Sequence, residues 1–381
     1  MLKRLLICLV CFSICISGFV YAEEIDLNLT CKSAILMDYE TGEILYSHNP
    51  HEQLPPASVT KIMSMLLIME EIAAGRLTYD DIVTGSERAK SMGGSTIFLD
   101  AGESLSVRDM LKGIAVASGN DATVAMAEHI SGTVEAFVDK MNNRAQQLGM
   151  KDTHFVTCNG LDAEGHYSSA YDIALMSREL MKYEDIFQFT TIWMDSLRNG
   201  EFTLSNTNKL IRFYEGATGL KTGSTSLAKN CISATAKREG MHLIAVVMAA
   251  PTSKDRFSDA SKLLNYGFNS YKITTVRNTG DKAGVCDVKK GKKPQLELFY
   301  KSGFGYLSGK NENKEIEEKI IINDEINAPV SKGDKIGKAE FRFEGKVLGS
   351  SDIIAGENIE KINLKDTFIN AVSSFVTKKK S

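Results

Sequence analysis

Ser58 and Lys61 stand three residues apart in "PPASVTKIMSMLLIME" (55–70), at the front of a run that is otherwise almost wholly apolar. Residues three apart on a helix share a face, so the hydroxyl and the amine can meet. A serine hydroxyl is a weak nucleophile until a base sits beside it. Burial among Ile62, Met63, Leu66 and Leu67 disfavours an ammonium and lowers its pKa, which makes lysine a base near neutral pH. A helix start adds unpaired N–H groups and a dipole that favour developing negative charge. The spacing thus describes an activated serine seated in core. An N-capping serine with a lysine that snorkels to the surface would leave the same pattern. S-x-x-K also recurs at Ser226–Lys229.

Two more elements narrow the chemistry. Ser118-Gly119-Asn120 falls in a break between two helical patterns, where polar side chains can point into a cleft. A capped helix-linking turn would look alike, and S-x-N recurs at Ser47-His48-Asn49. Lys221-Thr222-Gly223 occurs once, at the start of a strand pattern; a lysine there could instead guard a sheet edge against aggregation. No GxSxG elbow is present, and the six histidines contain no HExxH pair, so a zinc hydrolase has little support.

The elements that must hold these residues read as follows. "SAILMDYETGEILYS" (33–47) is a hairpin around Thr41-Gly42. A helix is predicted from Ser58 to Ala74, stopped by Gly75. Val107, Met110, Leu111, Ile114 and Ala115 mark the next helical face. Asp121 is the predicted N-cap of a short helix. Val134 to Leu148 forms another, closed by Gly149, and Ala170 to Lys182 a further one. "KTGSTSLAKNCISATA" and "HLIAVVMAA" flank a Lys237–Gly240 turn and read as an antiparallel pair, followed by a helix from Ser253 to Tyr266. The fold class expected is α/β (α+β): an antiparallel sheet flanked by helices. From residue 272 lysine-rich turns and alternating stretches such as "AEFRF" (339–343) indicate a small β-rich domain.

The ends carry their own signals. Residues 1–22 have the basic start, apolar stretch and small terminal residue of an export signal. The expected division is therefore signal peptide 1–22, catalytic domain 23–271, β-rich domain 272–363 and amphipathic helix 364–381. In that last segment Leu364, Phe368, Ile369, Ala371, Val372, Phe375 and Val376 share an arc before Lys378, Lys379 and Lys380. This suits a helix lying in a membrane interface, although the same face could pack on the β-domain. With 45 basic and 48 acidic residues, the net charge of −3 gives no reason to expect nucleic acid. Cys31, Cys158, Cys231 and Cys286 are too sparse for a disulfide framework and are expected to be mostly buried thiols.

S-x-x-K, S-x-N and K-T-G in that order in an exported chain are far more specific together than singly. They form the signature set of β-lactamases and penicillin-binding proteins. The sequence resembles the low-molecular-mass penicillin-binding proteins, serine-type D-alanyl-D-alanine carboxypeptidases, over nearly its whole length. "DYETGEIL", "PASVTK", "SGNDATVAMAE", "GLD" (160–162), "NTNKL" (206–210), "TGLKTGSTS" and "APVSKGDKIG" (328–337) carry the likeness. Thr157 departs from it, because relatives often have asparagine before the "GLD" turn.

The resemblance implies a β-lactamase/transpeptidase-like catalytic domain acting on peptidoglycan stem peptides that end in D-Ala-D-Ala. It implies Ser58 as nucleophile, Lys61 as base, Ser118 as proton relay and Asn120 as the group orienting Lys61 and the substrate amide. Lys221, Thr222 and Arg256 would face the terminal carboxylate. Gly223 would let the substrate backbone approach, and the N–H groups of Ser58 and Ser224 would form the oxyanion hole. β-Lactams would acylate Ser58, and neither metal nor organic cofactor is required. Two alternatives remain at this point. A class A β-lactamase would need a glutamate, for which Glu201 in "EFTLS" is the nearest approach. A non-catalytic peptidoglycan or penicillin receptor would bind without turnover.

Overall fold

The computed structural model describes residues 26–323 and 325–363. The predicted export signal and the 364–381 helix lie outside the described residues.

Strand β1 (Ser33–Asp38) and β2 (Ile44–His48) form the predicted hairpin, with Gly42 at φ +74 in its turn. Helix α1 (Lys61–Ala73) follows a single 3₁₀ turn, Ala57–Thr60, so Ser58 precedes the α-helix instead of opening it. Every residue from Lys61 to Met69 is buried, as expected of a helix that is apolar all round. Gly75 closes it at φ +69, the left-handed conformation that glycine takes without a Cβ penalty.

Helices α2 (Val107–Val116), α3 (Asn120–Ser131), α4 (Val134–Gln147) and α5 (Ala170–Met181) follow. Ser106, Thr133 and Ser169 cap α2, α4 and α5 through their hydroxyls. Asp121 does not cap α3. The helix starts two residues earlier than expected, with Gly119 at the N-cap. The Asp121 carboxylate instead accepts the N–H groups of Ile97 and Leu99, each at 3.0 Å, and so braces the 95–99 loop against α3.

The predicted two-strand reading after Gly219 is corrected to three strands. β3 (Ala217–Thr225) turns back at Ser226–Ala228 into β4 (Lys229–Arg238), which pairs with β5 (Met241–Ala250). The turn needs no Gly or Pro: Thr225 Oγ1 accepts the Ala228 N–H at 3.0 Å, and Lys229 takes φ +58. The second S-x-x-K, Ser226 and Lys229, sits exposed on this turn. The antiparallel sheet runs β2-β1-β5-β4-β3.

Alternation explains why Ala34–Met37 of β1 and Leu243–Ala250 of β5 are continuously apolar. Ile35, Met37, Ile244, Val246 and Met248 face the core shared with α1–α5. Leu36, Leu243, Ala245 and Val247 face the other core, under α6 (Ser253–Ser270). α6 opens with a reciprocal Thr252–Asp255 capping box. It runs one turn beyond the predicted end at Tyr266.

The described residues after α6 are organised as strands. β6 (Tyr271–Arg277), β7 (Lys282–Asp287), β8 (Gln295–Tyr300), β9 (Phe304–Gly309), β10 (Glu317–Ile322), β11 (Lys335–Phe343) and β12 (Lys346–Ala355) follow one another. β6 pairs with β9, and the rest form a sheet in the order β7-β8-β12-β11-β10. Leu296, Leu298, Phe341 and Ile353 lie at the centre of its separate core. The sequence class, helices around an antiparallel sheet followed by a smaller β unit, matches this arrangement.

Candidate active site

The site forms where the 3₁₀ turn, the α2–α3 junction, the 156–160 loop and the edge strand β3 meet. The Lys61 Nζ lies 2.9 Å from Ser58 Oγ and donates to Asn120 Oδ1 at 2.6 Å and to the Asn159 carbonyl at 2.7 Å. Lys61 is 0 % exposed. Desolvation pushes its pKa down to about 7, against smaller opposing contributions from Cys158 and Asp121. A neutral amine has two N–H bonds and one lone pair. With Asn120 and Asn159 taking the two N–H bonds at the shorter distances, the lone pair is left for the Ser58 hydroxyl. That is the arrangement of a base poised on a nucleophile.

Asn120 is fixed in turn. Its amide donates to the Gly93 carbonyl at 2.7 Å, and its backbone N–H to the Ser95 carbonyl at 2.7 Å. Ser118, 3 % exposed, holds φ +64 between α2 and α3. Its hydroxyl makes no hydrogen bond to Ser58 or Lys61 in this structure. The sequence neighbours are thus brought together unequally: Asn120 touches Lys61, while Ser118 lines the junction beside them.

β3 supplies the opposite wall. Lys221 is buried, with its amine 2.9 Å from the Thr222 carbonyl. Desolvation lowers its pKa well below the usual lysine range, and the charges of Lys61 and Arg256 lower it further. Thr222 Oγ1 donates to Thr207 Oγ1 at 2.7 Å. Arg256 is 8 % exposed, so it is not a solvated helix-face arginine. Its guanidinium reaches the Gly223 carbonyl at 3.0 Å, while its Nε is buried without a partner. Three basic side chains, Lys61, Lys221 and Arg256, therefore lie close together with no carboxylate bonded to any of them among the described residues, so an anionic group entering there would favour their charged forms.

Gly223 also makes a close approach within the protein itself. A Cβ there would lie 2.8 Å from the Ser58 nitrogen and 2.9 Å from both the Pro56 carbonyl and the Val59 nitrogen. The space it leaves is filled by the nucleophile turn, which packs backbone to backbone against β3. Ser224, next along, is exposed.

Three contributors escaped the sequence reading. Asn159 acts through its carbonyl, Gly160 packs against the Ala57 carbonyl, and Thr207 bonds Thr222. The "GLD" and "NTNKL" likenesses contain Gly160 and Thr207 and adjoin Asn159, but gave none of them a role, and a backbone oxygen leaves no signature in residue type. Thr157 is also explained: its hydroxyl accepts the Gly160 N–H at 3.1 Å and closes the loop by itself. Glu201 is exposed, in the turn of a hairpin formed by Met194–Leu197 and Phe202–Ser205, and no carboxylate bonds Ser58 or Lys61 among the described residues. Cys31, Cys158 and Cys231 are free and buried, and Cys286 is free and half-buried.

Known proteins are similar to this chain over most of its length. The family described as D-alanyl-D-alanine carboxypeptidase matches residues 20–252, and "Penicillin-binding protein 5, C-terminal domain" matches residues 271–361. D-alanyl-D-alanine carboxypeptidase DacF of Bacillus subtilis is 46% identical over 340 residues, 88% of this chain and 87% of the relative. Penicillin-binding protein 5 from Haemophilus influenzae superimposes with a TM-score of 0.67 at 32% identity, covering 87% of this chain and 98% of that one. Penicillin-binding protein D2 from Listeria monocytogenes, in an ampicillin-bound form, gives 0.59 at 31% identity over 64% of this chain and all (100%) of that one. Matches of this extent, on a chain whose buried Lys61 faces Ser58, place it in the D-alanyl-D-alanine carboxypeptidase family.

Proposed function

We propose that the protein cleaves the terminal D-alanine from peptidoglycan stem pentapeptides through an acyl-enzyme on Ser58. The observation that carries this reading is the 2.9 Å contact between Ser58 Oγ and a fully buried Lys61 amine whose pKa is near 7. In acylation the Ser58 proton passes to Lys61 as Oγ bonds to the carbonyl carbon of the penultimate D-alanine. The backbone N–H groups of Ser58 and Ser224 stabilise the oxyanion. Ser118 relays the proton to the departing amine, the C–N bond breaks, and D-alanine leaves. Water then hydrolyses the ester. Lys221, Thr222 and Arg256 hold the terminal carboxylate, whose negative charge offsets the desolvation and mutual repulsion of the cations. Asn120 keeps Lys61 aimed and meets the substrate amide.

β-Lactams present a similar carbonyl and carboxylate, so they are expected to acylate the same serine. Peptide mapping by mass spectrometry after labelling should find the penicilloyl adduct on Ser58, and S58A should carry none. An adduct on Ser226 or elsewhere would overturn the assignment. Turnover of a D-Ala-D-Ala pentapeptide by the unmodified enzyme separates this reading from a receptor that binds without cleavage.

We assign residues 23–271 to catalysis, 272–363 to the β unit and 1–22 to an export signal, and place the enzyme outside the cytoplasm. Among the described residues no helix is long and apolar enough to cross a membrane. Residues 364–380 are the proposed peripheral anchor, with lysines each worth about 1 kcal/mol against anionic headgroups. Truncation after Lys365 should keep turnover on soluble peptide and abolish co-sedimentation with anionic vesicles. Unchanged sedimentation would retire the anchor.

A further inference from the structure

The catalytic lysine depends on a carbonyl that its own element does not supply. Asn159 lies on a strap, residues 156–160, laid across the nucleophile turn. The strap meets that turn in direct backbone contact, since a Cβ at Gly160 would stand 1.9 Å from the Ala57 carbonyl oxygen. Ser64 pins it from α1 by donating to the Cys158 carbonyl at 2.5 Å. The remaining pin is a buried histidine that the proposed mechanism does not use.

His166 is 5 % exposed. Its Nδ1 faces the backbone N–H of Val156 at 2.9 Å and that of Thr157 at 3.4 Å. Both are donors, so Nδ1 must be the unprotonated nitrogen and Nε2 must carry the hydrogen. Nε2 lies 2.9 Å from Thr60 Oγ1, to which it therefore donates. One ring thus bonds the strap on one side and the nucleophile turn on the other. Phe155 packs beside it, with ring centroids 5.9 Å apart. We propose that His166 is a positioning residue for acylation: it clamps the 156–160 strap to the Ser58 turn and so fixes the Asn159 carbonyl that aims Lys61.

Electrostatics agree with a permanently neutral clamp. Burial, and secondarily His154, hold the His166 pKa down to about 4. A protonated ring would point a donor at two N–H donors, and the clamp would open. Near neutral pH the ring keeps its one-donor, one-acceptor form, which the two sides of the strap require.

The clamp rests on the Ser58–Lys61 reading, and its test separates the two. Acylation by a fluorescent penicillin is followed by stopped flow against pH for the full chain and for H166L, H166Q and T60V. H166L, which lacks both hydrogen bonds, should acylate roughly tenfold to a hundredfold more slowly, as misplacement by about 1 Å commonly does. Initial, non-covalent penicillin binding should stay unchanged. Its acid limb should move to higher pH, because a loosened strap admits water to an amine that burial alone holds down. H166Q, which retains a donor and an acceptor, should recover most of the rate. T60V removes only the hydroxyl partner and should reproduce the slower rate and the shifted limb in a protein with an intact strap, so the proposal does not rest on H166L folding. Wild-type rate and acid limb in T60V, or a loss in H166L that H166Q does not relieve, would overturn the clamp. An adduct away from Ser58 in the wild-type chain would instead overturn the catalytic reading beneath it.

Discussion

K61A is expected to slow acylation by penicillin and by peptide alike, by about 10²–10⁴-fold, the usual cost of losing a general base. The wild-type enzyme should show an acid limb with a midpoint near 7. The amine works only when neutral, and burial has brought its pKa down to about 7. Below that pH the rate should fall about tenfold per unit, and above it level off. K61A should lose the limb along with the rate. The same shift has a stability side. The folded protein binds this proton less tightly than the unfolded chain, whose lysine titrates near 10.5. The group therefore costs most below about 7, and its cost fades as pH rises toward 10.5. K61A should flatten that part of the stability profile in denaturant titrations. A K61A enzyme that acylates at the wild-type rate, or a wild-type rate flat from pH 5 to 8, would rule out Lys61 as the base.

Gly160→Ala should be nearly as damaging, though it touches no reacting atom. Its φ of +84 already disfavours any residue with a Cβ. The added methyl would overlap the Ala57 carbonyl at 1.9 Å and crowd Thr60 Oγ1 at 2.9 Å. Neither backbone can give way without moving Ser58 or the Asn159 carbonyl. Overpacking of this kind commonly costs 1–3 kcal/mol of stability, and the displaced nucleophile a further 10²-fold or so in acylation. The measurement is a penicillin acylation rate alongside a thermal melt. G75A, also at positive φ but with nothing within 4 Å of its Cβ, serves as the comparison. Equal acylation rates in the two variants would mean that the strap contact does not position the nucleophile.

Where sequence and structure diverge, the reason is usually a contact between distant segments. Asp121 has the right residue type at the right place for a cap. The 95–99 loop presents unpaired N–H groups to its carboxylate, and this tertiary demand takes the side chain. "KTGSTSLAKNCISATA" has no Gly or Pro to mark its reversal, because Thr225 and the left-handed Lys229 make the turn without them. Arg256 sits on a helix-face pattern and is buried because α6, packed on β5 and β4, brings its first turn up to the Gly223 carbonyl.

The sequence by itself determined the chemistry. Ser58 and Lys61 are joined by local helical spacing, which no tertiary detail has to supply, and the ordered motifs around Ser118 and Lys221 name the reaction class. The continuous apolar run "LIAVVMAA" likewise marks a strand covered on both faces, because such a strand is mostly apolar on either side. Only the tertiary structure decided how the base is held and why Gly223 and Gly160 are glycines. The Asn159 carbonyl, the Gly223 approach to the Ser58 turn and the His166 clamp all join segments far apart in the chain, mostly through backbone atoms. Backbone atoms are the same in every residue, so their roles become visible only once the chain has brought them together.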